Sequence, residues 1–473
     1  MQDYFKVKFV EEIPKYIQIS NKIKKLIDKK IIEDGTKLPT IRKYAEFLGV
    51  NNVTIVSAYK QLTNDGFARQ KVGSGTYAKR KETLYKFNRE YSQSFKKLSS
   101  EELSNIIDFA GETTKEMKFP IDDFKTILNK ILDRDGAEAL VSQSPMGYDK
   151  LRSTINKVFW ENKLKEDDIL IVSGAQQGID IASKVMVNNN DNVIVEKPTY
   201  SGALSVFKSR RANIFEVDIE KDGVNLNEVE KILKKNKVTC FYTMSYFQNP
   251  TGISYSHEKK VRLLELAEKY DFYIIEDDYL SELIYDKKVL YEPFKWMDKN
   301  DRVVYIKSFS KIFLPGIRIG YMIPPKALEE AMQRSKFNTD IATSSLMQRA
   351  LEMYIAEGKW RKNIFDLSKE YKNRYKIMEK YIDKELGSKV TYLKPKGGLS
   401  FYLTLTNKNI SSRKLFMNLK KRGVYITPGV LFFTRSADGE NTFRIGFSET
   451  EEKKIIQGLK IIKEEIEACH TLQ

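Results

Sequence analysis

One lysine stands in a chemically unusual segment, Ser308–Tyr321, which reads SFSKIFLPGIRIGY. Lys311 follows the strand-like run RVVYIKS, lies close to two serines, and precedes Arg318 by seven residues. A lysine amine becomes a nucleophile when it is reachable and partly deprotonated, and partial burial and nearby cations favour this state. The setting therefore indicates that the Lys311 amine does chemistry, and forming a Schiff base with a carbonyl group is the chemistry that lysine supports.

Other polar groups also follow strand-like runs. Asp277 and Tyr279 come after FYII, Asn249 comes after KVTCFYTMSYFQ, and the segment SGAQ at residues 173–176 comes after DDILIV. The carboxyl ends of parallel strands meet at one edge of a sheet, and ligands gather there. We therefore expect these groups to lie near Lys311.

Together these groups match the needs of pyridoxal 5′-phosphate (PLP). Its aldehyde requires an amine such as Lys311, and its ring nitrogen requires a facing carboxylate such as Asp277. Its phosphate requires hydroxyls, a cation and the N–H groups of a helix start. The predicted phosphate site consists of Ser308, Ser310, Arg318, Gly174, Ala175 and Gln176.

The rest of the cofactor ring has candidate partners as well. Asn249 and Tyr279 can hydrogen-bond the phenolic oxygen, and Tyr200 can stack on the ring face. Each of these features has an ordinary structural explanation when taken alone, such as a turn or a solvated strand end. Their joint occurrence at strand ends favours a cofactor site.

Bulk composition limits the class of protein. The chain has 473 residues and is 41% hydrophobic, which suits two or more packed domains. Two distant cysteines and two histidines argue against a disulfide framework, a metal site and histidine catalysis. No apolar run reaches the length of a membrane span, and the N-terminus MQDYFKVKFV is too charged for a signal peptide. We expect a cytoplasmic protein without a metal.

The basic excess is concentrated at the N-terminus. Residues 1–100 contain 21 Lys and Arg against 10 Asp and Glu, so they contribute +11 of the total charge of +17. A composition rich in lysine throughout would not place the charge at one end. The distribution predicts that the N-terminal part binds a polyanion.

The first eighty residues have the pattern of three helices and a hairpin. A first helix is predicted from apolar residues at helical spacing, namely Ile13, Ile17, Ile23, Ile27 and Ile31. A second begins at Thr40 and ends at Gly49, and a third runs from about Asn52 to Asp65. The inner face of the third helix is predicted to consist of Val53, Val56, Tyr59 and Leu62. Two short strands then flank a glycine-rich turn.

These elements predict a winged helix-turn-helix, whose third helix enters a major groove and whose wing follows the DNA backbone. Small and polar side chains on the third helix leave room for base edges, and they are Asn51, Asn52, Thr54 and Ser57. The wing supplies a tip that can approach closely and two cations that neutralise phosphate charge. Its predicted contacts are Gly73, Ser74, Gly75, Arg69 and Lys71.

The stretch LPTIRKYAEFLGVNNVTIVSAYKQLTNDGFARQKVGSGTYA resembles the DNA-binding domain of GntR regulators, and the likeness covers about residues 10–80. It implies DNA contacts by Arg42, Thr54 and Lys71. The family often has arginine where this chain has Asn52, and asparagine pairs with adenine rather than guanine, so we expect a shifted base preference. A small helical protein-interaction module is the alternative.

From about Ile106, strand-like and helical segments alternate, which indicates a largely parallel sheet covered on both faces. The segments SGAQQG, YFQNPTG, EDDY, SFSKIFLPGIRIGY and FRIGFS resemble fold type I aminotransferases over about residues 106–450. The resemblance implies that Lys311 forms the aldimine and that Asp277, not Asp278, faces the ring. It also implies that Arg444, in FRIGFS, clamps the α-carboxylate of an amino-acid ligand.

The predicted fold is therefore multidomain. Residues 1–80 form a winged helix-turn-helix, mainly α with a β wing, and residues 81–105 form a polar linker. Residues 106–473 form an α/β PLP-dependent transferase domain of fold type I with a mainly parallel sheet. Its large lobe spans about 145–330, and a small C-terminal α+β lobe spans about 331–473 with part of 106–144.

A GntR-type winged helix before an aminotransferase-like domain resembles the MocR subfamily of bacterial transcription regulators. The resemblance implies a head-to-tail homodimer that binds operator DNA and senses a small amine or amino acid by aldimine exchange at Lys311. The alternative is an active aminotransferase with a DNA-binding extension, since the residues needed for half-transamination are present. A DNA-binding scaffold with an inactive cofactor site fits poorly with an intact Lys311, Asp277 and Arg318.

Overall fold

The computed structural model describes most of the chain and divides it into two compact units. The described residues are 3–7, 9–11, 14–28, 31–71, 73–79, 87, 90–94, 106–111, 120–141, 144–311, 313 and 315–471. One unit comprises Met1–Asn105 and Arg435–Asp438, and the larger one comprises Ile106–Thr434 and Gly439–Gln473. The predicted linker, residues 81–105, falls mostly outside the described residues. Within the described ranges, every helix is too short or too polar to cross a bilayer.

Three helices and a hairpin make up the N-terminal unit, as predicted. They are α1 (Lys15–Asp28), α2 (Ile41–Leu48), α3 (Asn52–Asn64), β1 (Ala68–Lys71) and β2 (Gly75–Ala78). Gly49 ends α2 in the left-handed conformation at φ 63°, and its N–H bonds the carbonyls of Ala45 and Glu46. Glycine adopts this conformation without strain, which explains why α2 stops there.

The hairpin is an antiparallel pair with the predicted turn. Arg69 pairs with Tyr77 and Lys71 pairs with Gly75, while the turn carries Gly73 at φ 74°. The backbone N–H of Leu38 also bonds the carbonyl of Thr76 at 2.8 Å. This bond ties the wing to the segment before α2, so the wing has a fixed base.

The predicted inner face of α3 is wrong at two positions. Val53 is 67% exposed and Val56 is 44% exposed. The buried face of α3 consists of Ile55, Ala58, Tyr59 and Leu62. These positions recur at spacings of three and four residues, so they lie on one face of the helix. The face of α3 that contains Ile55 and Ala58 is therefore buried, and the face that contains the two valines is exposed.

The predicted face of α1 needs a similar correction. Ile23 and Ile27 are buried as predicted, but Ile31 is 47% exposed because α1 ends at Asp28. Ile19 and Leu26 complete the buried face instead. Ile13 lies outside the described residues.

The second unit begins with strand β3 (Ile107–Asp108) and is built around an eight-stranded sheet. Along the sheet the strand order is β4-β11-β10-β9-β8-β5-β6-β7. β11 and β7 are antiparallel to their neighbours, and the other strands run parallel. The strands are β4 (Leu170–Val172), β5 (Asn192–Lys197), β6 (Asn213–Glu220), β7 (Gly223–Val224), β8 (Val238–Thr243), β9 (Tyr273–Asp278), β10 (Val303–Ser308) and β11 (Gly320–Ile323).

Helices join these strands and build the rest of the second unit. The core strands β4, β9 and β10 are buried along nearly their whole length, which explains the apolar runs LIV in β4, YII in β9 and VVYI in β10. The helices are α4 (Ile121–Asp135), α5 (Glu138–Val141), α6 (Asp149–Phe159), α7 (Ala175–Met186), α8 (Ser201–Ser209), α9 (Leu226–Leu233), α10 (His257–Lys269), α11 (Phe294–Met297), α12 (Glu329–Asp340), α13 (Ser345–Ala356), α14 (Lys359–Tyr381), α15 (Ser412–Lys421) and α16 (Glu452–Thr471).

A separate four-stranded antiparallel sheet forms the small lobe, with strand order β12-β13-β16-β15. A further strand, β14, pairs in parallel with β3, so the start of the unit is tied to the small lobe. The strands are β12 (Val390–Thr391), β13 (Ser400–Leu405), β14 (Val424–Tyr425), β15 (Thr427–Pro428) and β16 (Thr442–Gly446).

Substitutions can test which face of α3 is buried. We expect Ile55→Ala to weaken the N-terminal unit by about 2–5 kcal/mol because it empties a buried site. We expect the matched change Val56→Ala to cost less than about 0.5 kcal/mol because that side chain is exposed. Hydrogen exchange of the α3 backbone amides in the full-length protein measures both effects. Equal loss of protection in the two variants would contradict the observed packing.

Candidate functional site

The predicted cofactor residues do meet at one edge of the large sheet. Strands β4, β5, β8, β9 and β10 run in the same direction, so their carboxyl ends share an edge. Within the sheet, Ile306 of β10 lies beside Asp277 of β9. The groups that follow these strands therefore converge where sheets of this kind bind ligands.

Asp277 is the most informative of these side chains. It is 2% exposed, and its Oδ2 accepts a hydrogen bond of 2.7 Å from the hydroxyl of Tyr242. Its Oδ1 is buried and has no hydrogen-bond partner among the residues that the structure describes. Burial raises the pKa of Asp277 to about 7, although the Tyr242 hydrogen bond acts in the opposite direction. A buried acceptor left in this way is costly unless a ligand supplies a donor.

Asp278 points to the opposite face of β9, where its carboxylate interacts with several side chains of the protein itself. Its carboxylate lies 3.4 Å from Lys307 Nζ and accepts hydrogen bonds from side chains of Ser281, Tyr291 and Tyr305. Burial acts to raise the pKa of Asp278, but Lys307 and these donors hold it below its ordinary value. The two adjacent aspartates therefore have different environments, and only Asp277 keeps an oxygen for a ligand.

Lys307 is a buried cation that sequence reasoning missed. Its Nζ lies 2.8 Å from Glu282 and donates to Ser281 Oγ at 3.0 Å. Burial acts to lower the pKa of Lys307, but Asp278 and Glu282 raise it above its ordinary value. The signal in the sequence was a lysine inside the otherwise apolar strand VVYIKS, which requires buried carboxylates as partners.

A cradle suited to an anion lies between β4 and β10. Arg318 donates to the carbonyl oxygen of Ser173 at 3.0 Å and to Ser310 Oγ at 3.3 Å. The backbone N–H of Ser310 donates to Ser308 Oγ at 3.2 Å. Three of the predicted phosphate contacts, Ser308, Ser310 and Arg318, are therefore linked by hydrogen bonds.

The start of α7 completes this cradle. Gly174 precedes the helix at φ 92°, a backbone conformation that favours glycine, and a Cβ at that position would lie 2.9 Å from Arg318 Nη2. Gly320 of β11 permits the same approach, because its Cβ would lie 3.2 Å from the Gly174 Cα. Ala175 and Gln176 form the first turn of α7, where N–H groups favour an anion.

Lys311 lies three residues beyond the end of β10, in the loop that carries Ser310 and leads to Arg318. Its side chain is half-buried. The residue is therefore placed at the same sheet edge as the cradle and is reachable, as the sequence predicts.

Arg444 and Asn249 are joined although they lie far apart in the sequence. Arg444 is 6% exposed, and its Nη1 donates to Asn249 Oδ1 at 2.8 Å. Its Nη2 donates to the carbonyl oxygen of Ala110 at 3.1 Å and to Thr427 Oγ1 at 3.2 Å. The guanidinium also lies over the ring of Phe432, 5.4 Å from its centroid. This arrangement places a guanidinium of the small lobe against a residue of the large sheet.

The two predicted tyrosines have specific partners. The Tyr279 hydroxyl donates to the carbonyl oxygen of Phe247 at 2.8 Å, so a bond from it to a phenolic oxygen requires an exchange of this partner. The Tyr200 hydroxyl donates to Gln176 Oε1 at 3.2 Å, and its ring packs over Gly202. Tyr200 therefore lies beside the first turn of α7.

These observations fit PLP as the bound group. The buried Asp277 oxygen matches a protonated ring nitrogen, and the Gly174–Arg318 cradle matches a phosphate dianion. Sequence reasoning missed Tyr242, Thr427 and Phe432, because their roles depend on contacts between distant segments.

Most of the predicted DNA-contact residues are exposed on the N-terminal unit. Arg42, Arg69 and the tip residues Gly73, Ser74 and Gly75 are exposed, as is Asn52. Thr54 and Ser57 are half-buried. The side chain of Lys71 lies outside the described residues.

Asn51 has a structural role in the helix that it precedes. Its Oδ1 accepts a hydrogen bond of 3.0 Å from the backbone N–H of Val53, which makes Asn51 the N-cap of α3. An N-cap side chain satisfies a helix donor that has no partner within the helix. The side-chain Oδ1 of Asn51 therefore has a structural role at the start of α3.

Both parts of the chain match known families. Residues 111–462 match the family Aminotransferase class I and II, and residues 15–78 match the bacterial regulatory proteins of the gntR family. The two matches cover the large unit and the helical N-terminal unit separately.

Individual relatives show the same division. Over 373 residues the chain is 31% identical to aromatic-amino-acid aminotransferase 1 of Thermococcus litoralis. This match covers 77% of this chain and 89% of that protein. Over 454 residues it is 26% identical to the HTH-type transcriptional regulator YcxD of Bacillus subtilis, which covers 95% of this chain and 99% of that protein.

A solved structure supports the fold of the large unit. The α-aminoadipate aminotransferase LysN of Thermus thermophilus, complexed with N-(5′-phosphopyridoxyl)-L-leucine, superposes with a TM-score of 0.73. The two chains are 26% identical, and the match covers 82% of this chain and 100% of that one. The comparisons confirm the predicted fold class for both parts of the chain.

The raised pKa of Asp277 predicts a specific pH dependence for the cofactor-free protein. A carboxyl group whose pKa is raised on folding stabilises the fold at low pH, and this stability is lost as pH rises. We therefore expect Asp277→Asn, which cannot ionise, to become more stable relative to the wild type between about pH 4 and 7. Above about pH 7 the difference should level off. Melting temperatures of both proteins across this range measure it, and a constant difference would contradict the environment described for Asp277.

Proposed function

Because the chain belongs to the aminotransferase class I and II family and carries a gntR-family domain at its N-terminus, the MocR architecture, we propose that it is a transcription regulator with an amine-sensing domain. Its cofactor is PLP. The proposed signal is an amine or amino acid that replaces Lys311 by aldimine exchange, and the proposed output is a change in operator binding in the cytoplasm. The observation that carries the proposal is the buried Asp277 oxygen, together with the Gly174–Arg318 cradle, in a chain whose residues 15–78 match the gntR family.

Each residue of the site has a proposed task. When bound, PLP supplies an aldehyde that condenses with amines and a ring that withdraws electrons. Lys311 provides the resident amine, and Asp277 accepts a hydrogen bond from the protonated ring nitrogen. The bond from Tyr242 fixes the orientation of Asp277, because it occupies the other carboxylate oxygen. Tyr200 provides a surface for the ring beside α7.

Phosphate binding is assigned to the cradle. Arg318 supplies the positive charge, Ser308 and Ser310 supply hydroxyls, and Gly174 to Gln176 supply backbone N–H groups at the start of α7. These contacts would hold the phosphate at several points and so restrict rotation of the bound cofactor. Anchoring and orientation are the contribution of this chain to the chemistry.

The effector carboxylate is assigned to Arg444. A planar guanidinium pairs with a carboxylate through two parallel hydrogen bonds, which Lys cannot reproduce. Arg444 lies on β16 of the small lobe, and it donates to Asn249, which follows β8 of the large sheet. A carboxylate arriving at Arg444 competes with Asn249 for the guanidinium, so the contact between the lobes changes when an effector binds.

Asn249 has a second proposed task. Its Oδ1 accepts from Arg444, so the Nδ2 group is the end that can donate to the phenolic oxygen of the cofactor. One side chain then connects the effector clamp to the cofactor ring. Regulation requires that the effector bind the two lobe arrangements with different free energies, typically by about 1–3 kcal/mol.

An active aminotransferase with a DNA-binding extension is the second candidate, and the 31% identity to an aminotransferase favours it. Conversion of bound cofactor to its amine form by an amino donor, followed by rapid return with a keto acid, would support this alternative. Slow or absent return, together with an effector-dependent shift of a DNA band, would support the regulator.

We also propose that the protein works as a head-to-tail homodimer. Two copies of the winged helix suit two DNA half-sites, because a twofold assembly matches a palindromic or repeated operator.

Removal of the resident amine tests the covalent site. We expect Lys311→Ala to lose the visible absorbance of the PLP imine and to release PLP on gel filtration, because the covalent bond is absent. The matched control Lys408→Ala changes an exposed lysine of the same unit and should keep the absorbance. Retention of the imine band in Lys311→Ala would assign the chemistry to another lysine.

Salt dependence tests the proposed DNA contacts. We expect Arg42→Ala and Arg69→Ala each to reduce the slope of log K against log salt by about 1, because each removes one phosphate contact. Fluorescence anisotropy with a mixed-sequence duplex measures the slope, and Lys408→Ala again serves as the control. Unchanged slopes in both arginine variants would remove these residues from the interface.

A further inference from the structure

The exposed face of α3 carries two valines that the fold does not use. Val53 is 67% exposed and Val56 is 44% exposed, whereas Ile55 and Tyr59 on the opposite face are fully buried. Positions three residues apart lie side by side on a helix, so the valines form one small apolar surface. Asn52 adjoins this surface and is exposed as well.

Helix stability does not account for these valines. Valine forms helices less readily than alanine, lysine or glutamine, so an exposed position gains nothing from it. The sequence of α3, NVTIVSAYKQLTN, contains no acidic residue and no arginine, and its single lysine, Lys60, comes in the third turn. The first two turns therefore offer apolar, amide and hydroxyl groups with no charge, at the end of the helix that a helix-turn-helix directs at base edges.

This set of groups matches one kind of base pair. In the major groove, thymine alone presents a methyl group, which apolar side chains contact. Adenine pairs with asparagine through two hydrogen bonds, whereas guanine is bound mainly by arginine or lysine. Asn52 with Val53 and Val56 therefore favours A·T pairs, and the first two turns lack the groups that would favour G·C pairs.

We propose that Val53 and Val56 contact thymine methyl groups and thereby make A·T pairs the specificity determinant of this protein. The inference rests on the proposed DNA-binding function and deepens it, because it names the base edges that α3 recognises. The valines add discrimination between bases, whereas the phosphate contacts of Arg42 and Arg69 add affinity for any sequence.

Uracil substitution provides the direct test, because uracil differs from thymine only by the methyl group. Full-length wild-type protein first selects duplexes from a pool with a random central segment at low salt. Each thymine of the selected duplex is then replaced in turn by uracil, and binding is measured by fluorescence anisotropy. We expect uracil to weaken binding about fourfold at one or more positions, which corresponds to one buried methyl group.

Variants assign this effect to the valines. We expect Val53→Ala and Val56→Ala each to bind thymine and uracil duplexes equally at one of the sensitive positions. Val10→Ala changes another exposed valine of the same unit, away from α3, and should keep the full difference. Circular dichroism confirms that each variant remains folded, which the exposure of all three side chains leads us to expect.

Each outcome has a definite meaning. Equal binding of thymine and uracil duplexes by the wild type would overturn the inference alone, since DNA binding itself would persist. Selection of duplexes whose most strongly selected positions are G·C pairs would also overturn it. Failure to retain any duplex at low salt would overturn the proposed DNA-binding function and this inference together.

Discussion

The site depends on the placement of one buried carboxylate. Asp277 is held inside the sheet edge by a single hydrogen bond from Tyr242, while its other oxygen is buried without a donor among the described residues. Such a group stays protonated up to about pH 7 in the cofactor-free protein, because burial disfavours its charge. A cationic ring nitrogen reverses this preference, so cofactor binding and ionisation of Asp277 favour each other. The incompletely paired Asp277 carboxyl group lowers the stability of the cofactor-free protein, and a bound cofactor would offset this loss.

The adjacent network explains why the neighbouring aspartate does not compete for the same role. Asp278, Glu282 and Lys307 form a buried charge cluster on the opposite face of β9 and β10. Removing any partner would leave an unpaired charge in the interior, which is far more costly than leaving the cluster intact. The cluster therefore fixes the orientation of the end of β9 from the face opposite Asp277. Close approach of Gly174, Gly320 and Arg318 then brings the anion cradle to the same strand edge.

Residue patterns predicted most of the elements and placed the candidate cofactor residues at strand ends, because strand ends and helix caps are local signals. Gly49, the hairpin turn and the start of α7 were recognisable for this reason. The buried face predicted for α3 was wrong. A pattern that contains both Val53 and Ile55 is compatible with two buried faces, and only tertiary packing selects one of them. The contacts of Tyr242, Lys307 and Asn249 could not be predicted, because each joins segments whose adjacency follows from strand order.

The hydrogen bond between Arg444 and Asn249 joins the small lobe to the loop after β8, and the proposed regulation depends on this contact. All of these roles presuppose that Asp277 faces the ring nitrogen. The nitrogen NMR shift of PLP with an isotopically labelled ring, bound to wild-type protein and to the Asp277→Asn and Asp278→Asn variants, tests this point most directly. The account predicts a protonated ring nitrogen in the wild type and Asp278→Asn, and an unprotonated one in Asp277→Asn. Loss of ring protonation in Asp278→Asn with retention in Asp277→Asn would contradict it.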